Sequence, residues 1–164
     1  MCSVPLRTSA SLKNIRDRPR HTYQGVCFLR GFQNNRVVRK FAPWCADVHG
    51  DEAIPANFIA FSEGIPGWTD KMKTCKEQFS EFLKVANPDF QTELGYPVTK
   101  PGESCLRKAT DAIAQEFDCF SFTLEMPFKD CAKFPDPEFG WNPSRAQKFG
   151  ASFVTAIRQI VPSL

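Results

Sequence analysis

The clearest periodicity in the chain runs through CFSFTLEMPF, residues 119–128, where Phe120, Phe122 and Leu124 alternate with Cys119, Ser121, Thr123 and Glu125. A period of two predicts a strand over 119–125, with the apolar side chains on one face and Glu125 closing the other. The flanking segments switch to helical spacing. Residues 70–86 place Met72, Cys75, Phe79, Phe82 and Leu83 three and four apart behind a Thr69 or Asp70 cap, and Asn87-Pro88 ends the run. A second helix is predicted over 103–117, with Leu106, Ala109, Ile113, Ala114 and Phe117 on one side. Asn142-Pro143 supplies the cap and first residue of a last helix reaching about residue 161. Its apolar face is Ala146, Phe149, Phe153, Val154, Ile157 and Ile160. Residues 44–48 form a short apolar run that reads as a buried strand, stopping at a polar loop with His49 at its end. The stretch 88–102, with three Pro and two Gly, reads as a long loop, as does 129–141.

Strands alternating with helices indicate the α/β class, a mostly parallel or mixed sheet flanked by helices. Ligands in such folds bind at the carboxyl ends of strands, and His49 and Glu125 both sit at predicted strand ends.

Charge divides the chain in two. Residues 1–40 hold nine Lys or Arg against the single acid Asp17, and the remainder holds twelve against seventeen. A basic segment, 1–43, is therefore expected ahead of a folded unit, 44–164. Arg16, Arg18, Arg20, Arg36, Arg39 and Lys40 would attract phosphates, but few aromatics interleave with them and no helix or zinc framework aims them. Nucleic-acid binding is not expected, and a solvated tail is. The first twelve residues are Ser-rich, contain Arg and lack acids, a weak transit-like composition. No apolar run reaches about 18 residues and no apolar core of a secretory signal follows the start, so a cytoplasmic protein without a membrane span is expected. Seven cysteines without a CxxC pair read as reduced thiols. Cys45 and His49 have a CxxxH spacing, but no second pair appears nearby to complete a structural zinc site.

A histidine at a strand end, beside Asp47, Asp51 and Glu52, can offer an imidazole to a divalent metal while a carboxylate orients its other nitrogen. The bland alternative is a histidine bonded only to nearby backbone. Glu125, between Leu124 and Met126-Pro127-Phe128, is placed to be partly desolvated, which raises a carboxyl toward the range of a useful base. Its bland alternative is a strand-end carboxylate in water.

Three ordered blocks carry a resemblance. ADVHGDEAIPANFIAFSEGIPGW (46–68), FSFTLEMPFKD (120–130) and FGWNPSRAQKFG (139–150) resemble the C-terminal half of the M14 zinc carboxypeptidases, in the cytosolic carboxypeptidase-like branch. The resemblance covers about residues 44–162. It implies that His49, in the DxHG block, is a zinc ligand and that Glu125, in the TLE block, is the glutamate that activates zinc-bound water. The activity implied is zinc-dependent hydrolysis of C-terminal peptide bonds, with zinc as cofactor and peptide or protein C-termini as partners. The side chains of His49 and Glu125 should then face one cleft within roughly 10 Å of each other.

The family's first zinc motif, HxxE, has no counterpart upstream of His49; His49-Gly50-Asp51-Glu52 could itself be read as HxxE, but no later histidine exists to complete the set. The one upstream histidine, His21, is followed by Thr22, Tyr23 and Gln24, and Asn35-Arg36 stands nearer His49 than the family's substrate-binding pair does. A truncated copy without turnover of its own is the resulting expectation. The alternative is a noncatalytic binding or scaffold protein that retains the fold.

Overall fold

The computed structural model describes residues 43–164. The basic segment, with His21 and Asn35-Arg36, lies outside the described residues. The elements run β1 (Trp44–Asp51), β2 (Phe58–Phe61), α1 (Asp70–Ala86), α2 (Ala109–Phe117), β3 (Phe120–Pro127) and α3 (Pro143–Ile160), with a closing 3-10 turn, Val161–Ser163. The sheet order is β1-β3-β2, with β1 parallel and β2 antiparallel to β3. The architecture is thus a mixed sheet flanked by helices, as the strand and helix pattern predicts.

Central position explains why β3 is buried on both faces. Phe120, Phe122 and Leu124 turn to one side, where they pack with Phe79 and Leu83 of α1 and with Phe149, Ile157 and Ile160 of α3. Phe122 touches the rings of Phe61, Phe79 and Phe153 at centroid separations of 5.6, 5.1 and 6.0 Å. Each fully buried Phe contributes about 2–3 kcal/mol through the area it removes from water. The opposite face, carrying Ser121, Thr123 and Glu125, is covered at one end by α2, where Thr110 Oγ1 lies 3.4 Å from Thr123 Oγ1.

Capping chemistry fixes the two long helices as expected. Thr69 Oγ1 accepts from Met72 N at 3.2 Å, and Asn142 Oδ1 accepts from Arg145 N at 3.1 Å, each satisfying a first-turn donor.

Four expectations are corrected. The strand at 44–48 extends to Asp51 and is half-exposed rather than buried, because among the described residues β3 is its one strand neighbour; Val48 is 56% exposed. The second helix starts at Ala109, not 103. Residues 100–105 are tied into turns instead, with Gly102 N and Ser104 N both donating to Gly64 O, and Leu106 is exposed. On α3 it is Ala156, not Val154, that enters the core, since 149, 153, 156, 157 and 160 follow the helical stripe and 154 lies a full step off it. β2 was not expected at all, because four residues are too few to display a period.

Candidate active-site cleft

Backbone register assembles the site. His49 is the Cα partner of Glu125 on the neighbouring strand, and Phe58 of β2 pairs with Glu125 from the other side. Paired residues on adjacent strands, about 5 Å apart, point to the same face. Asp47, His49, Phe58, Thr123 and Glu125 therefore share the face opposite the aromatic core, and all five line one cleft of about 620 Å³.

Glu125 is buried, at 6% exposure. Desolvation raises its carboxyl above the ordinary carboxylate range; the neighbouring His49 and a hydrogen bond from Tyr96 pull the other way without cancelling the shift. Oε1 accepts from Tyr96 Oη at 3.4 Å, while Oε2 is buried with no hydrogen-bond partner among the described residues. A buried carboxylate oxygen left unpaired costs free energy.

His49 is half-exposed, and its Nε2 lies 2.9 Å from Asp47 Oδ1, a contact that orients the ring. Asp51, at the end of β1, ties the turn that follows: its Oδ1 accepts from Ala53 N at 2.7 Å and Ile54 N at 2.5 Å. Its Oδ2 accepts from Tyr96 Oη at 2.5 Å. That bond, first among its causes, holds the Asp51 carboxyl below its usual value. Burial and the two carboxylates it meets push the Tyr96 phenol far up, so it stays a donor.

Tyr96 is the principal residue that sequence reasoning missed. It sits in the long 88–102 loop, where no periodicity marks it, and it reaches the site through packing. Its ring stands edge-on to Phe58 at 4.9 Å and 84°. Gly95 lets the loop lie flat there, since a Cβ at that position would come within 3.2 Å of the Phe58 ring. The buried side chain of Gln91 shapes the turn before it, donating to Asn57 O and Leu94 O and accepting from Glu93 N and Leu94 N. Behind the loop, Arg145 of α3 clasps Asp89 with Nε and Nη2 at 2.9 and 2.6 Å and reaches Asp130 with Nη1 at 3.2 Å.

The described residues do not fit a zinc ion by themselves. Among them no group of three or more His, Cys, Asp and Glu side chains converges closely enough to hold a metal, and His49 is their one imidazole. A catalytic zinc ordinarily takes three protein ligands. Among the described residues, too, no helix is long and apolar enough to cross a membrane.

No family model matches the chain. It is 38% identical over 130 residues to an uncharacterized protein of Zymomonas mobilis, a match that covers 79% of this chain and 34% of that relative. Among solved structures, a metallo-carboxypeptidase from Pseudomonas aeruginosa, in complex with (2-guanidinoethylmercapto)succinic acid, superposes with a TM-score of 0.77. It is 34% identical, with 84% of this chain and 36% of that one covered. A metallo-carboxypeptidase from Burkholderia cenocepacia superposes at 0.68 with 44% identity, covering 73% of this chain and 31% of that one. The chain thus spans about a third of the length of the relatives it matches, and over that third its fold is that of metallo-carboxypeptidases.

Proposed function

We propose that the chain forms part of the catalytic domain of an M14-type, zinc-dependent metallocarboxypeptidase of the cytosolic branch, acting on peptide or protein C-termini. In this reading residues 44–164 are the C-terminal part of that domain and residues 1–43 stand outside it. Glu125 is the general base and His49 one metal donor. The observation that carries the reading is the pairing of His49 with Glu125 on one face of the sheet, where both line one cleft and the Glu125 carboxyl is desolvated.

The chemistry follows from what these side chains can do. Burial raises the affinity of Glu125 for a proton, so it can take one from an attacking water and deliver it to the departing amine. Tyr96, held by Asp51, meets the carboxyl at Oε1 and so orients it from the loop side. Asp47 engages one ring nitrogen of His49, which leaves the other for a metal. A cytoplasmic setting belongs to the same reading, and the free thiols of Cys45, Cys75, Cys119 and Cys131 agree with it.

Because the described residues supply one imidazole where three ligands are needed, the 164 residues alone are expected to bind zinc weakly and to turn over negligibly. The test is zinc analysis of the purified chain, together with release of C-terminal amino acids from a peptide mixture in added zinc. The expected result is zinc well below one per chain and no release. One zinc per chain with release abolished by Glu125→Gln would show that the chain completes the site by itself.

A further inference from the structure

The cleft beside Glu125 carries more acid than base. Of its described lining residues, Glu63 is paired with Lys76 at 2.6 Å and Asp47 with His49 at 2.9 Å, which leaves Glu93, Asp111 and Glu125 facing Lys108. Asp111 differs from the other two acids. Glu93 is exposed and accepts from Thr92 N, and Glu125 accepts from Tyr96. Asp111 is 6% exposed, and among the described residues no hydrogen bond or ion pair meets its carboxylate.

An acid in the first turn of a helix gains from the helix dipole, and Asp111 stands in the first turn of α2. That gain is open to an exposed side chain as well, and it does not offset the cost of withdrawing a carboxylate from water without a donor. The neighbours of Asp111 account for the placement better. Thr110 brings its Oγ1 to 3.4 Å from Thr123 Oγ1, and Thr123 lies two residues before Glu125 on the same face of β3. Thr110, Asp111 and Thr123 thus gather in the cleft one step inward from Glu125, a carboxylate and two hydroxyls that can all accept hydrogen bonds. Ala60, the register partner of Thr123, and Ala109 line the same stretch with small apolar side chains.

This set suits an organic cation rather than a metal ion, since among the described residues no three His, Cys, Asp or Glu side chains converge. A lysine or arginine side chain matches it: the methylene stem lies along the apolar wall and the charged head carries several N–H donors. We propose that Asp111, with Thr110 and Thr123, forms a cation-binding recess beside Glu125 that takes the side chain of a C-terminal Lys or Arg. The recess stands on this geometry; its assignment to a C-terminal residue rests on the functional reading above.

The probes are n-butylammonium and n-butylguanidinium, with butyramide as the neutral and butyrate as the anionic counterpart, titrated without metal into the isotope-labelled 164-residue chain. The cations should shift the amides of Thr110, Asp111 and Thr123 and bind at least about tenfold more tightly than butyramide or butyrate, the margin a charge-assisted hydrogen bond provides. Asp111→Asn should keep the circular dichroism of the parent and bind cation and butyramide alike. Where that variant does not fold, the contrast between butylammonium and butyramide on the parent chain decides. The same preference should carry over to N-acetylarginine against N-acetylglutamate and N-acetylnorleucine, which end as a peptide ends. Equal binding of all probes, or none, overturns the recess. So do cation shifts centred on Glu93 or Glu125, or a charge preference that survives in a folded Asp111→Asn chain. A recess that takes butylguanidinium but not N-acetylarginine loses its assignment to a C-terminal residue. None of these measurements uses metal or hydrolysis, so a failed recess leaves the peptidase reading standing.

Discussion

Burial holds the Glu125 carboxyl above its ordinary range, so the folded chain binds that proton more tightly than the unfolded chain does. For a carboxyl shifted upward, stability is lost as pH rises from the ordinary carboxylate value through the raised one. Glu125→Gln replaces the buried charge with a neutral isostere. It should stabilise the chain by on the order of 1 kcal/mol at pH 7, with the advantage gone near pH 4. Thermal unfolding at the two pH values checks this, and a variant less stable than the parent at pH 7 would contradict the desolvated carboxyl. Tyr96→Phe removes the hydroxyl shared between Asp51 and Glu125 Oε1, and should lower stability in denaturant unfolding. Glu125 was legible in the sequence because its alternation with Phe122 and Leu124 placed it on a strand, opposite an apolar face. Tyr96 was not, because its role depends on Phe58, Gly95 and Gln91, which meet only once the loop is folded.

At the scale of elements, β3 is the member on which both faces depend. Phe122→Ala should destabilise the chain by about 3–5 kcal/mol, because α1, α3 and β2 all pack on that ring and cannot all collapse into the void. The helix α3 matters to the site from a distance through Arg145. Arg145→Leu leaves Asp89, whose side chain is 13% exposed, without the cation that clasps it, and should cost about 1–3 kcal/mol. Urea titration measures both, and a loss below 1 kcal/mol at Arg145 would show the clasp to be dispensable. Long periodic elements such as α1 and α3 announced themselves through caps and spacing. The half-exposed state of β1 did not, since a run of Trp44, Cys45 and Ala46 reads the same whether one neighbour flanks it or two. The late start of α2 was hidden for a related reason: Gly102 and Ser104 bond to Gly64, a partner some forty residues away.

Over the whole molecule, sheet order joins fold to chemistry. Placing β3 between β1 and β2 brings His49, Glu125 and Phe58, separated by as many as 76 positions, onto one register line. The cleft is then bounded by strand ends on one side and by the Tyr96 loop on the other, the position at which α/β sheets bind ligands. The central claim is that His49 and Glu125 serve one metallopeptidase centre. It is tested most directly by grafting residues 44–162 into the Pseudomonas aeruginosa metallo-carboxypeptidase in place of the segment they match, and following release of C-terminal amino acids. The graft should hydrolyse peptides in a zinc-dependent manner. Glu125→Gln should lower kcat by about 10²- to 10⁴-fold with zinc retained, and His49→Ala should lose the metal. A folded, zinc-loaded and active graft whose turnover is indifferent to Glu125→Gln would contradict the account.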